Sequence, residues 1–194
     1  MIEKPLKIYD CNPNNIPEEY HQAIGLVVTC ASQTESIVGD FIASLLGLDN
    51  VDGMALTTHI GNPLKEQIAR SLVELNAKTT VFVDKVDDLL DEIHHAQKMR
   101  NAIVHNSLCL HPETKEVYSM RQSARGSIKV ELTLVSVDEF KEVALNLYTS
   151  GIALLEFMIV ANLAPRFRDR PIHAPMKRNK KARENRREAL KDNK

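Results

Sequence analysis

Apolar residues recur every three or four positions through most of this chain. That period restricts it to helices that each bury one face. The longest stripe is Tyr20, Ile24, Val27, Ala31, Val38, Phe41 and Leu45. It predicts one helix over about 17–46, bent near Gly39, with Pro17 in its first turn and Glu18 and Glu19 at the positive end of the helix dipole. Gly47, Asn50, Asp52, Gly53, Gly61 and Asn62 mark residues 47–62 as a loop. Asn62-Pro63 is a cap followed by proline, and opens a second helix to about Ala77. Thr79 and Thr80 are candidate caps for a third, whose stripe runs Phe82, Val86, Leu89, Ile93, Ala96, Arg100, Ile103.

After Asn106 the period changes to two. Ser107–Leu110 and Val117–Met120 are short strand candidates, joined through His111-Pro112-Glu113-Thr114-Lys115. From Ile128 to Val135, Ile128, Val130, Leu132 and Leu134 alternate with Lys129, Glu131 and Thr133, as in a half-buried strand. Ser136-Val137-Asp138-Glu139 is a capping box that starts a last helix to about Leu163, and Pro165 ends it. The expected fold is all-α: a four-helix up-down bundle with a small antiparallel β-insert between the third and fourth helices.

The chain has 194 residues, 43% of them apolar and 26% charged, which suits one domain with a substantial core. Residues 1–16 read as an N-terminal arm, 17–164 as the helical domain and 165–194 as a basic tail. Residues 166–194 hold 12 Lys+Arg against 4 Asp+Glu, although the whole chain carries a net charge of −1. An acidic body therefore bears a basic end. That end is too poor in apolar side chains to bury a core, which predicts disorder, with helix only over Lys180–Leu190. Cys11, Cys30 and Cys109 are odd in number and far apart, with no CxxC, so neither a zinc site nor a disulfide framework is indicated. Cys30 reads as a small core residue. Residues 1–10 contain no apolar signal core, and the run Gly151–Ala164 is interrupted by Glu156 and is shorter than the ~20 residues a membrane span needs. The expectation is a cytoplasmic protein that does not engage a membrane.

Arg100 is the anomaly in this pattern. At 100° per residue it lies only about 20° around the helix from Ile93, on the apolar stripe. A charge there costs several kcal/mol unless something pairs with it. His105 follows five residues later, at the helix end. Histidine takes or gives a proton near neutral pH, and arginine binds phosphate oxygens in a fork. Together they are sufficient parts for metal-free transesterification of RNA. The base activates a ribose 2′-OH and the guanidinium stabilises charge on the phosphorane. Spacing alone is weak: with 11 Arg and 7 His, chance gives about one pair at such gaps, and Arg168–His173 and Arg166–His173 also match. Those two lie in the polar tail with Pro171 between, so no helix presents them.

Arg100-Asn101-x-x-x-His105 on the third helix of such a bundle resembles the signature of the HEPN domain family, over roughly residues 17–164. The resemblance implies a homodimer with a composite site, where Arg and His of both protomers meet in one cleft. It also implies metal-independent endoribonuclease activity on RNA, as in toxin–antitoxin, anti-phage defence and RNA-processing systems, with an antitoxin or regulatory protein as a further partner. Carried over, Arg100 binds and polarises the scissile phosphate and His105 is the acid/base or 2′-OH-orienting residue. Asn101 and Asn106 are the supporting, substrate-binding residues. No cofactor or metal is implied.

Two other readings of the same residues stand beside this one. The fold also occurs without activity, as an RNA-binding or protein-interaction dimer. Alternatively, Arg100 is paired internally with an acid such as Glu35, and His105 merely caps the helix C-terminus. His94-His95 is a poor metal pair, because adjacent helical side chains point about 100° apart. His59, in the loop, is within range of the site only if the fold brings it there. The glycines form neither GxGxxG nor GxxxxGK[ST], so no phosphate-cradling loop is expected. The tail reads equally as a solvated end or as a nucleic-acid tether.

Overall fold

A computed structural model describes residues 8–75, 79–123, 129–164, 166–169 and positions 181, 182, 184, 185 and 188. Among these are five α-helices: α1 (Glu18–Leu45), α2 (Asn50–Thr57), α3 (Asn62–Leu75), α4 (Val83–His105) and α5 (Val137–Val160). Three strands lie between α4 and α5: β1 (Ser107–Leu110), β2 (Val117–Ser123) and β3 (Lys129–Leu134). They form an antiparallel meander in the order β1-β2-β3. Mostly helical with a small antiparallel sheet is thus the observed class.

The extra helix lies in the segment expected to be a loop. Asp49 caps α2, its carboxylate accepting from the backbone N–H groups of Val51 at 3.1 Å and Asp52 at 2.9 Å. Gly53 is there for packing and not for a turn, since a Cβ on it would fall on Ala43 of α1. The added helix also changes the sense of those after it. Consecutive helices alternate in direction, and with α2 inserted, α1 and α5 run parallel: Tyr20 meets Phe140, Thr34 meets Leu147 and Phe41 meets Phe157. In four alternating helices the first and last would be antiparallel. α4 runs against both its neighbours, with Arg70 on Asp87 and Asp91, His94 on Glu66 and Phe82 on Phe157.

Thr79 and Thr80 do not cap the helix after them. Their hydroxyls close the helix before them, Thr79 Oγ1 donating to the Val73 carbonyl at 3.0 Å and Thr80 Oγ1 to that of Glu74 at 3.4 Å. A short 3-10 turn, Thr80–Phe82, then leads into α4. The capping box of α5 forms as expected: the Glu139 amide donates to Ser136 Oγ and the Ser136 amide to Glu139.

The core has three parts. The largest joins α1, α3, α4 and α5 around Phe41, Leu90, Ile93, Leu154 and Met158. A second, of smaller residues, lies between α1, α4 and α5 around Val27, Ala31, Ala96 and Leu147. A third seats the sheet on the ends of α1 and α5 through Ile16, Tyr20, Val117 and Phe140, with the Tyr20 hydroxyl donating to the Val135 carbonyl at 2.9 Å. Helices α1 and α5 approach closely where Gly151 faces Thr34. By length and hydropathy α5 is apolar enough to cross a membrane. It packs one side on α1 and α4, burying Phe140, Val143, Ala144, Leu147 and Leu154.

The arm packs on β1 by an antiparallel bridge between Asp10 and Leu110. At the other end, Arg166 bridges to Asp49, and the Arg168 guanidinium meets Asp52 at 2.7 Å and Asp49 at 3.6 Å. The chain just beyond Pro165 is therefore docked on α2. Positions 181, 182, 184, 185 and 188 are helical. The disorder expected for the rest of the tail falls outside the described residues, as do Ile128 and His173.

Candidate functional site

The stripe of α4 is buried as its spacing predicts: Val86, Leu89, Ile93 and Ala96 are in the core, and Arg100 and Ile103 are half-buried. Gln97 is also buried, at 5% exposure; as a polar residue it is absent from the apolar stripe, although it lies one turn after Ile93. The helix ends at His105, and Asn106 turns into an extended conformation that runs straight into β1. The position of His105 is thus fixed by where helix gives way to strand.

At this junction an open cleft of about 570 Å³ lies between the end of α4 and one face of β2 and β3. Its volume is within the range of ligand-binding clefts, about 300–1,000 Å³. Asn101, His105 and Asn106 line it, together with Lys98. From the sheet come Ser119 and Arg121 of β2 and Glu131 and Thr133 of β3, while Ile103, Val135 and Phe140 make its apolar part. Strand alternation explains the sheet residues. Ser119 pairs with Thr133 and Arg121 with Glu131, so the four side chains stand on one face in two cross-strand rows. Asn106 is held in place by donating from Nδ2 to Ser119 Oγ at 3.1 Å. His105 is exposed.

Three of the four predicted site residues therefore share one cleft, and Arg100 is beside it. Its Nη1 donates to Asn101 Oδ1 at 2.9 Å, so the guanidinium is tied to a residue that lines the cleft without lining it itself. The expected internal partner is elsewhere: Glu35 accepts from Asn62 Nδ2. Among the described residues Arg100 makes no ion pair, and its Nε is buried without a hydrogen-bond partner. One turn away on the same helix, Gln97 Nε2 is in the same state. Each orphaned buried donor costs about 1–3 kcal/mol.

Sequence reasoning missed Lys98, Ser119, Arg121, Glu131 and Thr133. Two signals were legible. Lys98 lies one helical turn before Ala102 and two turns before His105, on the same face of the helix, and the alternation of β3 put Glu131 and Thr133 on the polar face. The register that brings Arg121 beside them was not legible. His59 is exposed in the turn after α2 and does not line the cleft. His94 Nδ1 is 2.9 Å from Glu66 Oε2, linking α3 and α4, while His95 lines a separate groove with Asp91 and Asn146. Among the described residues no group of three or more His, Cys, Asp or Glu is arranged to hold a metal ion.

What the cleft offers chemically is an imidazole, two exposed cations, Lys98 and Arg121, with Glu131 across the strand pair from Arg121, several neutral hydrogen-bonding side chains and an apolar floor. That set suits an anionic ligand with an apolar part. No protein-family model matches the chain, and neither a curated protein nor a solved structure matches it.

Proposed function

We propose that this protein is a metal-independent endoribonuclease of the HEPN type, acting as a homodimer. The observation that carries the reading is the convergence of His105, Asn101 and Asn106 with Lys98 and Arg121 in one cleft at the end of α4. The four long helices α1, α3, α4 and α5 correspond in this reading to that family's bundle, with α2 as an added element and the sheet as the insert. Lys98 and Arg121 draw the phosphate backbone into the cleft. His105 takes the proton of a ribose 2′-OH, whose oxygen attacks the adjacent phosphorus. The bond from phosphorus to the 5′-oxygen breaks as a protonated histidine, His105 or its counterpart on the second protomer, gives that oxygen a proton, leaving a 2′,3′-cyclic phosphate and a 5′-OH. Arg100 stabilises the charge on the phosphorane. A second protomer supplies the other Arg100–His105 pair. The cellular role that follows is RNA processing, defence or toxicity in the cytoplasm, held in check by an antitoxin or regulatory protein.

Purified protein is expected to cut RNA in EDTA, and both Arg100→Ala and His105→Ala to lose at least about 100-fold in rate while melting as the parent does. Parent-like cutting by the double variant overturns the reading. A second reading, an RNA-binding dimer without turnover, is favoured by the position of Arg100 outside the cleft and its bond to Asn101. It predicts RNA binding with no cleavage products at any enzyme concentration.

A further inference from the structure

The bridge between the N-terminal arm and β1 sets two cysteines opposite each other. Asp10 N donates to Leu110 O at 3.0 Å and Leu110 N to Asp10 O at 2.8 Å, so this pair exchanges both backbone hydrogen bonds. One step to either side, antiparallel register pairs Tyr9 with His111 and Cys11 with Cys109. The first of these pairs is seen directly, with ring centroids 5.4 Å apart. Beside a pair that exchanges both bonds, antiparallel strands place a non-hydrogen-bonded pair, with Cα atoms about 4.5 Å apart and side chains close. Disulfides form across Cα separations of about 4.4–6.8 Å. Both cysteines are free thiols, Cys11 exposed and Cys109 buried. The Cys109 thiol donates to the Tyr118 carbonyl at 3.6 Å. It is pushed up to about 11, first by burial and then by the Cys11 thiol beside it.

We propose that Cys11 and Cys109 are a reversible redox pair whose disulfide fastens the N-terminal arm to β1. The oxidant is a low-molecular-weight disulfide. The thiolate of exposed Cys11 attacks one of its sulfurs, the S–S bond of the reagent breaks, and a small thiolate leaves as Cys11 becomes a mixed disulfide. Cys109 then gives up its proton, and its sulfur attacks that of Cys11. The bond to the remaining small thiol breaks and the protein disulfide forms. The two protein thiols lose two electrons and two protons, and the reagent gains them as two thiols. Burial makes Cys109 the resolving partner and exposure makes Cys11 the attacking one. Cys30 lies in the helical core with Val27 and Ala31 and takes no part. The inference is independent of any ribonuclease activity, because it rests on strand register alone.

The full chain is incubated with oxidised glutathione, remaining thiols are alkylated, and the protein is digested for mass spectrometry. The parent and Cys30→Ala are expected to give a peptide linked through Cys11 and Cys109. Their melting temperature should rise by roughly 5–10 °C and fall back on addition of dithiothreitol. Cys11→Ser, which leaves the buried thiol in place, and Cys109→Ala should show neither the linked peptide nor the shift. The proposal is overturned if Cys11 stays as a glutathione adduct while Cys109 remains a thiol. It is equally overturned if Cys11 links only to Cys11 of another molecule.

Discussion

Arg100 is expected to do little for the stability of the fold. It has no carboxylate partner among the described residues and leaves Nε unsatisfied in a half-buried setting. Arg100→Met keeps an unbranched apolar stem in place of the arginine's and removes the orphaned donor. Denaturant unfolding should show a change of less than about 1 kcal/mol, in either direction. A loss above about 2 kcal/mol would mean that the guanidinium supports the fold after all. Arg121 belongs to the same scale. If it meets a phosphate, Arg121→Ala should weaken RNA binding evenly across sequences and flatten the salt dependence by about one counterion. Placing Arg100 on the buried side of α4 needed only helical periodicity, and the structure keeps it there. That its fork donates to Asn101 at the side of the cleft, without lining the cleft itself, depends on rotamer and neighbours, which no spacing encodes. Glu35 looked like an apt partner by charge, yet it accepts from Asn62, which arrives from α3.

At the scale of elements, capping chemistry and close approaches set most boundaries. Ser136→Ala removes half of the capping box and should cost about 1 kcal/mol in chemical denaturation. Gly151→Ala should cost more, about 1–3 kcal/mol, because the new Cβ would lie 2.8 Å from Thr34 Oγ1 and 3.4 Å from Thr34 Cα, which is backbone. Asp10 holds the arm: its carboxylate accepts from the Asn12 amide at 2.9 Å and the Asn15 side chain at 2.6 Å. These bonds, the Asn12 amide foremost, lower its pKa below the usual 3.8. A lowered carboxylate contributes above its unfolded value and loses that contribution as pH falls through the folded one. Exchange of the Asn12 amide should therefore quicken at acid pH beyond the intrinsic trend, and Asp10→Asn should abolish the extra dependence. The long helices and the strands were legible because each carries several turns or alternations of pattern. Helix α2 was not, because Asn50, Asp52 and Gly53 in eight residues carry the same letters as a turn. Its glycine answers to Ala43 across an interface, and only the packed structure reveals that. The two threonines before α4 fit a cap for either neighbour by sequence, and the direction of their hydroxyls decided for α3.

At the scale of the whole molecule, three features that lie far apart in the chain act together. The cleft combines the end of α4 with two strands, the arm meets β1 through residues separated by about half the chain, and Arg168 closes on α2. None of these long-range pairings has a local signature, so the candidate site was readable on its helical side and in the polar face of β3, but not in the register that joins them. The parallel alignment of α1 with α5 has a further consequence, for the order in which the chain can fold. Tyr20 waits for Val135, 115 residues on, and Thr34 for Leu147, 113 residues on. Contacts of such span make folding slow, since loop closure must precede the stabilisation it brings. During synthesis α1 emerges first and its main partner last, so its apolar face stays uncovered until nearly the whole domain has left the ribosome. A chain that stops at Ser136 should collect as an insoluble species or remain bound to chaperones, whereas one that runs through α5 to Asp169 should fold.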